Sequence, residues 1–452
     1  MNKPTIAIIG TGYVGLTTAA ILANSGYKVH ALDIDEDKIK TIQSGKSHFY
    51  ELGLSELIKR AVDAGNLKPT TDYKEAVPPA DIVISCVGTP DNPDGSPNMG
   101  YVYEAARDIA RNTDGPIIYV QKSTVPVGTG EDLSSMFEAE FGDEEIKYVS
   151  NPEFLRESSA IADTLGGDRV VVGGEDKQAV AKVADLYREI DDCRDEIAKT
   201  AGIEPPSEDY EMNVVKTELK SAELVKVSAN AFLALKISFA NSIAKLADAA
   251  DADVVEVMDG IGLDSRIGRA FLNAGRGYGG GCFPKDVSGL ISTAHNHGID
   301  LHIMQAATEV NSSMPGYIVN RAKEKFGDLK GEQVAVLGLA FKAGTSDARK
   351  SPAVAMANAL AHEDAKVKAY DPYANEEASP DLNREVEVVD SQEEAVEGAK
   401  VLFVGTDWPQ FKQLDLSSLK ASGVQLIADG MNVLDAEEVR RSGIDYVGVG
   451  RR

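Results

Sequence analysis

Short apolar runs alternate with stretches of helical spacing along the chain. Thr5-Ile6-Ala7-Ile8-Ile9 is followed at once by Gly10-Thr11-Gly12-Tyr13-Val14-Gly15, then by a helical pattern from Leu16 to Asn24. A second run, Lys28 to Leu32, ends at Asp33, and a third, Asp81 to Val87, ends at Gly88-Thr89-Pro90. Apolar runs separated by helical stretches imply a parallel sheet with crossover helices. The order returns later: Gln333 to Gly338, Lys366 to Asp371, Lys400 to Asp407. In both parts the second strand ends in Asp and the third in Gly-Thr, which predicts two nucleotide-binding-type α/β domains.

Between them, residues 216–250 read as one long helix. Its apolar positions, among them Leu219, Leu224, Val227, Phe232, Leu235, Phe239 and Leu246, occupy several faces, which implies burial on several sides. About thirty residues would span about 45 Å. Glu204-Pro205-Pro206-Ser207-Glu208-Asp209 reads as an exposed loop. The expected fold class is α/β, with two Rossmann-like doubly wound parallel-sheet domains joined by a long central helix and a helical dimerisation region. The expected division is 1–212, 213–312 and 313–452.

The chain has 452 residues, enough for several cores, with 46 basic against 72 acidic residues and a net charge of -26. That field repels phosphate backbones and anionic lipid, so neither nucleic acid nor a membrane is an expected partner. Any anionic ligand must find local cations or backbone amides. Three widely spaced cysteines, Cys86, Cys193 and Cys282, argue against a disulfide framework and for a reducing, cytoplasmic setting. No metal-binding spacing of Cys or His occurs, so no metal is expected.

Gly10, Gly12 and Gly15 form GxGxxG between a strand and a helix, with Asp33 closing the next strand. Glycine permits the tight turn and close approach to a pyrophosphate, the helix start offers amides, and the carboxylate accepts from ribose hydroxyls. Asp33, reinforced by Asp35 and Glu36, disfavours the extra phosphate of NADP. NAD is the expected cofactor.

Residues 275–286 read Gly-Arg-Gly-Tyr-Gly-Gly-Gly-Cys-Phe-Pro-Lys-Asp and run into a helical pattern. A thiol at a helix start, with Pro284 in the first turn and Lys285 beside it, has physical reasons for thiolate character. Asp286 can serve as base or orienter. Lys226 and Asn230 share a helix face at i, i+4, and Lys226 reads equally as a snorkelling surface residue or a functional cation. Cys86 reads as buried packing and Cys193 as part of a charged helix.

The ordered motifs GTGYVG (10–15), VGTP (87–90), KSTVPVGT (122–129), NPEFLRE (151–157), SAELVK (221–226), DSRIG (264–268), GYGGGCFPKD (277–286) and GLAFKAGTSDARKSP (338–352) cover nearly the whole chain. In these the chain resembles the nucleotide-sugar dehydrogenases of the UDP-glucose/GDP-mannose dehydrogenase family. Set against that family, the whole of 188–213 is longer than usual and reads as a surface insertion. The resemblance implies oxidation of a sugar C6 alcohol to a carboxylate in two NAD-dependent steps, through a cysteine-bound thiohemiacetal and thioester. It makes Cys282 the nucleophile, Lys226 and Asn230 the oxyanion pair, Asp286 and Thr124 the groups that organise water, and Glu153 the carboxylate for thioester hydrolysis.

For the cofactor it implies Gly10, Gly12, Tyr13, Val14, Gly15, Asp33, Lys38, Thr89, Thr124, Glu157, Lys285 and Arg349. For the sugar nucleotide it implies Glu153, Phe154, Leu155, Arg156, Lys226, Asn230, Tyr278, Gly279, Gly280, Phe341 and Lys342, with Arg266 offered by a neighbouring subunit of a homodimer. UDP-glucose is the expected substrate, with GDP-mannose or a UDP-N-acetylhexosamine as alternatives. A two-electron hydroxyacid dehydrogenase, in which Cys282 is mere packing, is the alternative outside the family.

Overall fold

The structure, a computed structural model, describes residues 3–142, 146–207 and 209–451. The chain divides into two compact units, 1–228 and 229–452.

Unit 1 is built on an eight-stranded sheet. Its strands are β1 (Thr5–Ile9), β2 (Lys28–Leu32), β3 (Leu67–Thr70), β4 (Ile82–Ser85), β5 (Ile117–Gln121), β6 (Ile146–Ser150), β7 (Val170–Gly173) and β8 (Val214–Thr217), in the order β3-β2-β1-β4-β5-β6-β7-β8. Every pairing is parallel except β6 with β7. The apolar runs have the expected cause: Ile6 and Ile8 of β1 enter the core on one face, Ala7 and Ile9 the core on the other. The first two strands lie where the pattern places them. The third is shorter, because the chain leaves the sheet after Ser85, so Cys86 sits in the turn and not in a strand.

Two expectations fail in unit 1. The central helix begins at Leu219 and not at 216, because Val214–Thr217 pairs with β7 as the last strand. Residues 188–213 are not a surface insertion as a whole. Residues through Asp192 complete the helix Lys177–Asp192, and Arg194–Ala201 forms another whose Ile197, Ala198 and Ala201 are buried in the core. A Cβ on Gly53 would stand 2.1 Å from the Ala201 carbonyl oxygen, so this helix is packed backbone to backbone. Charged neighbours hide a three-residue apolar stripe at i, i+1, i+4.

Unit 2 carries a six-stranded, all-parallel sheet. Its strands are β9 (Gln333–Leu337), β10 (Lys366–Tyr370), β11 (Val386–Val388), β12 (Val401–Val404), β13 (Leu426–Asp429) and β14 (Asp445–Gly448), in the order β11-β10-β9-β12-β13-β14. In both units the first six strands follow the doubly wound order 3-2-1-4-5-6.

The helix Leu219–Ala250 has 32 residues, about 48 Å at the usual rise. Ala240, Ala244 and Ala247 pack into the main core of unit 2, while Ala231 and Ala234 pack on Tyr278 and Val287. By length and composition alone this helix could cross a membrane. Its buried residues include Glu223, Lys226, Asn230, Ser238 and Asn241, and Ser238 Oγ donates to the Ala307 carbonyl at 2.7 Å. Polar groups partnered by protein mark the helix of a protein core. A second side is left bare: Phe232, Phe239 and Leu246, seven residues apart, are 61%, 46% and 62% exposed.

Candidate active site

In unit 1 the carboxyl ends of β1, β4, β5 and β6 deliver the motif loops to one edge of the sheet. Gly10 has φ +91°, and a Cβ there would meet the Cys86 carbonyl oxygen at 2.8 Å; a Cβ on Gly15 would meet the Gly10 carbonyl oxygen at 1.9 Å. These two glycines are required by the turn itself. Gly12 differs, since a Cβ on it would meet nothing within 4 Å. The space lies at the start of the helix Tyr13–Asn24, whose first turn carries no acidic residue.

Asp33 Oδ2 accepts from Thr11 N at 2.8 Å and Thr11 Oγ1 at 2.9 Å, and its Oδ1 accepts from Asp35 N at 3.1 Å. Lys38 Nζ stands 4.0 Å from the same carboxylate. Open space above a glycine turn, free helix amides and an oriented carboxylate fit the pyrophosphate and ribose of a dinucleotide. Thr89 follows β4 and Thr124 follows β5, on the same edge. Tyr13 Oη donates to Glu51 and lies 3.2 Å from the Arg156 carbonyl; burial first, then Glu51, hold its phenol above the ordinary range. Val14 and Glu157 are half-buried beside it in sequence and space.

The loop after β6 brings a buried ion pair into unit 1: Lys226 Nζ donates to Glu153 Oε1 at 3.0 Å, and the side chains are 5% and 9% exposed. Leu155 N donates to Glu153 Oε2 at 2.6 Å. The ring of Phe154 lies 5.4 Å from Lys226 Nζ and 3.7 Å from the Arg169 guanidinium. The Lys226 amine is not at the surface.

In unit 2 Cys282 caps the helix Phe283–Asn296, with Pro284 in its first turn, and is exposed. Asp286 N donates to the Cys282 carbonyl at 2.8 Å. The buried Asp286 carboxylate receives Asn230 Nδ2 at 2.5 Å and Lys285 Nζ at 2.8 Å. Asn230 and Lys226 are one turn apart on the central helix, hence on one face. The glycines before the thiol are contact residues: a Cβ would meet the Lys350 carbonyl oxygen at 2.4 Å from Gly279, the Phe341 ring at 2.9 Å from Gly280, and the Arg349 guanidinium at 2.6 Å from Gly281. Tyr278 is held through its backbone, its N donating to Asn311 Oδ1 at 2.7 Å.

The arginines expected at the nucleotide lie at the surface, each forked onto an aspartate. Arg156 pairs with Asp163 at 2.5 Å, Arg266 with Asp264 at 2.6 Å and Arg349 with Asp347 at 2.5 Å. Lys342 Nζ lies 5.7 Å from the ring of Phe341 in the loop after β9.

Two residues escape the sequence reading. Glu223 accepts from Gly128 N and Gly130 N, both at 2.8 Å, and so fastens the central helix to the loop bearing Thr124; an acid one turn before Lys226 in an apolar stretch was the signal. Arg276, between two glycines, is fully buried, and no local signal marks it.

Residues 4–191 match the NAD-binding domain of the UDP-glucose/GDP-mannose dehydrogenase family, 220–313 its central domain and 335–436 its UDP-binding domain. The UDP-glucose 6-dehydrogenase TuaD of Bacillus subtilis is 41% identical over 448 residues, 99% of this chain and 93% of the relative. The chain belongs to this family. Its cofactor is NAD. A UDP-glucose dehydrogenase structure from Pyrobaculum islandicum superimposes with a TM-score of 0.88 at 35% identity, covering 100% of this chain and 98% of that one. A UDP-D-ManNAc dehydrogenase from Pyrococcus horikoshii follows at 0.86 and 29%, with 99% of each chain covered.

Proposed function

We propose that the chain oxidises UDP-glucose to UDP-glucuronate, using two NAD per sugar. The full-length identity to a UDP-glucose 6-dehydrogenase carries this reading, and the chemistry grouped on the central helix supports it. NAD, when bound, takes up the hydride released in each of the two oxidations. The first converts the C6 alcohol to an aldehyde. Cys282 Sγ then adds to the aldehyde carbon to form a thiohemiacetal, whose oxidation leaves a thioester, and water releases the carboxylate and returns the thiol.

Each stage places negative charge on the C6 oxygen. Lys226 and Asn230 are the donors for it, preorganised by Glu153 and Asp286, which hold them at 3.0 and 2.5 Å. Asp286 and Thr124 orient the water, and Glu153 draws its proton during thioester hydrolysis. Glu153, Phe154, Leu155 and Arg156, with Tyr278, Gly279, Gly280, Phe341 and Lys342, hold the sugar nucleotide.

The working form is a cytoplasmic homodimer, formed along the bare stripe Phe232, Phe239, Leu246, since so much exposed apolar surface on one helix suits a second copy. The highly exposed Arg266 is then the residue reaching the partner's substrate. The chain is read as an NAD domain (1–212), a dimerisation segment (213–312) and a UDP-sugar domain (313–452). Dehydrogenation of a UDP-N-acetylhexosamine is the second reading, favoured by the Pyrococcus horikoshii similarity.

Counting NADH per sugar across a panel of nucleotide sugars tests the proposal. UDP-glucose should yield two NADH with the highest kcat/KM, and Cys282→Ser should lower formation of the acid by about 10³-fold or more. One NADH per sugar, or normal turnover by the variant, would refute the covalent route.

A further inference from the structure

Arg276 is the largest fully buried side chain among the described residues. It enters unit 2 where β9 and β12 lie side by side. From that pair the crossover connections run to opposite sides of the sheet, which makes it the crevice where doubly wound sheets take ligands. Nε donates to the Gly405 carbonyl in the loop after β12. Nη2 donates to the carbonyls of Ala340 at 3.2 Å and Phe341 at 2.9 Å in the loop after β9. The backbone N donates to the Gly430 carbonyl after β13 at 2.7 Å. One arginine thus ties the loops following three neighbouring strands.

Nη1 is buried without a partner. Among the described residues no carboxylate pairs with the guanidinium, whose neighbours are carbonyl dipoles; Asp407 and Asp371 act on it only from farther away. Burial pulls its pKa down to about 10, so it stays charged near neutrality. A buried cation with no paired carboxylate costs stability. What it holds is the backbone of Ala340 and Phe341, next to Lys342. Lys342 itself lies in a long loop with no helix beneath it, since the following helix starts only at Pro352.

We propose that Arg276 is a positioning residue for the nucleotide sugar: it fills the β9–β12 crevice, fixes the loop that presents Phe341 and Lys342, and adds positive charge beneath that loop to favour a diphosphate. This rests on reading Phe341 and Lys342 as substrate contacts. The planar fork is essential, because three carbonyls are engaged from one flat group; lysine keeps the charge and loses the fork.

Steady-state kinetics and UDP binding on the full chain test it, with Arg276→Leu and Arg276→Lys. Arg276→Leu should raise KM for UDP-glucose and the Kd for UDP by about tenfold or more, equivalent to about 1.4 kcal/mol. KM for NAD should be unchanged and kcat within about threefold. Arg276→Lys should fall between this variant and the parent, and it carries the test if Arg276→Leu does not fold. Equal rises in both KM values, or a lowered Tm with both KM values unchanged, would reduce Arg276 to a structural residue and overturn the proposal. Lys342→Ala separates the two levels. If it leaves KM for UDP-glucose unchanged, the reading of the loop fails; if it raises KM while the Arg276 variants do not, the inference about Arg276 fails alone.

Discussion

The two sheets share a plan and use it differently. In each, a glycine with positive φ follows the first strand, Gly10 at +91° and Gly338 at +100°, and in each the loop after the fourth strand leaves no room for a side chain there. In each, an aspartate closes the second strand and turns back to the first loop. Asp33, 8% exposed, bonds back to Thr11, next to Gly12, over which the protein leaves open space. Asp371 is spent on the protein: Oδ2 accepts from Leu339 N, Ala340 N and Trp408 Nε1 at 2.8, 3.0 and 3.0 Å, and Oδ1 from Tyr373 N and Ala374 N. The crevice that is open in unit 1 is filled by Arg276 in unit 2. A doubly wound sheet therefore offers a place for a dinucleotide without determining that one binds; what fills the place decides.

Two glycine substitutions should separate the turn from the ligand space. Gly15→Ala puts a methyl 1.9 Å from the Gly10 carbonyl oxygen, a clash of backbone with backbone that should cost about 3 kcal/mol or more and appear as a large fall in the urea midpoint. Gly12→Ala meets nothing in the protein, so its unfolding midpoint should match the parent while KM for NAD rises about tenfold or more. An unchanged KM for NAD would mean that the space over Gly12 is not where the pyrophosphate lies. The paired aspartates give a smaller contrast. Asp371→Ala leaves five donors unmatched, four of them buried, and should cost about 2–4 kcal/mol. Asp33→Ala should cost less in stability, yet narrow the preference for NAD over NADP.

How much of this was legible follows from which forces are local. Strands β1, β2, β4, β9, β10 and β12 could be read because burial leaves short apolar-rich runs between helical stretches, and Cys282 at a helix start because Pro284 and the apolar spacing after it are adjacent in sequence. The helix Arg194–Ala201 could not be read so easily, since three buried residues sit among Arg194, Asp195, Glu196 and Lys199. Arg276 was beyond reach. Between two glycines it looks like a solvated charge, and its burial depends on Ala340, Gly405 and Gly430, which lie far along the chain. Glu223 left a local signal as an acid in an apolar stretch, but its partners at Gly128 and Gly130 precede it by more than ninety residues, so its role could not be read.

The cysteines give the finest contrast, in rate and not in fold. Cys86 lies against the Gly10 turn, where its carbonyl abuts Gly10, and burial pushes its thiol up to about 12, with Lys122 opposing. A thiol is unreactive until ionised, so Cys86 should gain thiolate only as pH approaches 12. Cys282 is exposed at a helix start. Iodoacetamide at pH 8, followed by peptide mass spectrometry, should modify Cys282 while leaving Cys86 intact, and loss of activity should track the Cys282 adduct alone. Raising the pH from 8 to 10 should speed labelling of Cys86 by about tenfold per pH unit while its thiolate stays a small minority, because both values lie well below its pKa. Labelling of Cys86 at a rate matching Cys282 at pH 8 would mean that the loop after β4 opens readily, and the rigid wall that separates the Gly10 turn from the open space over Gly12 would lose its basis.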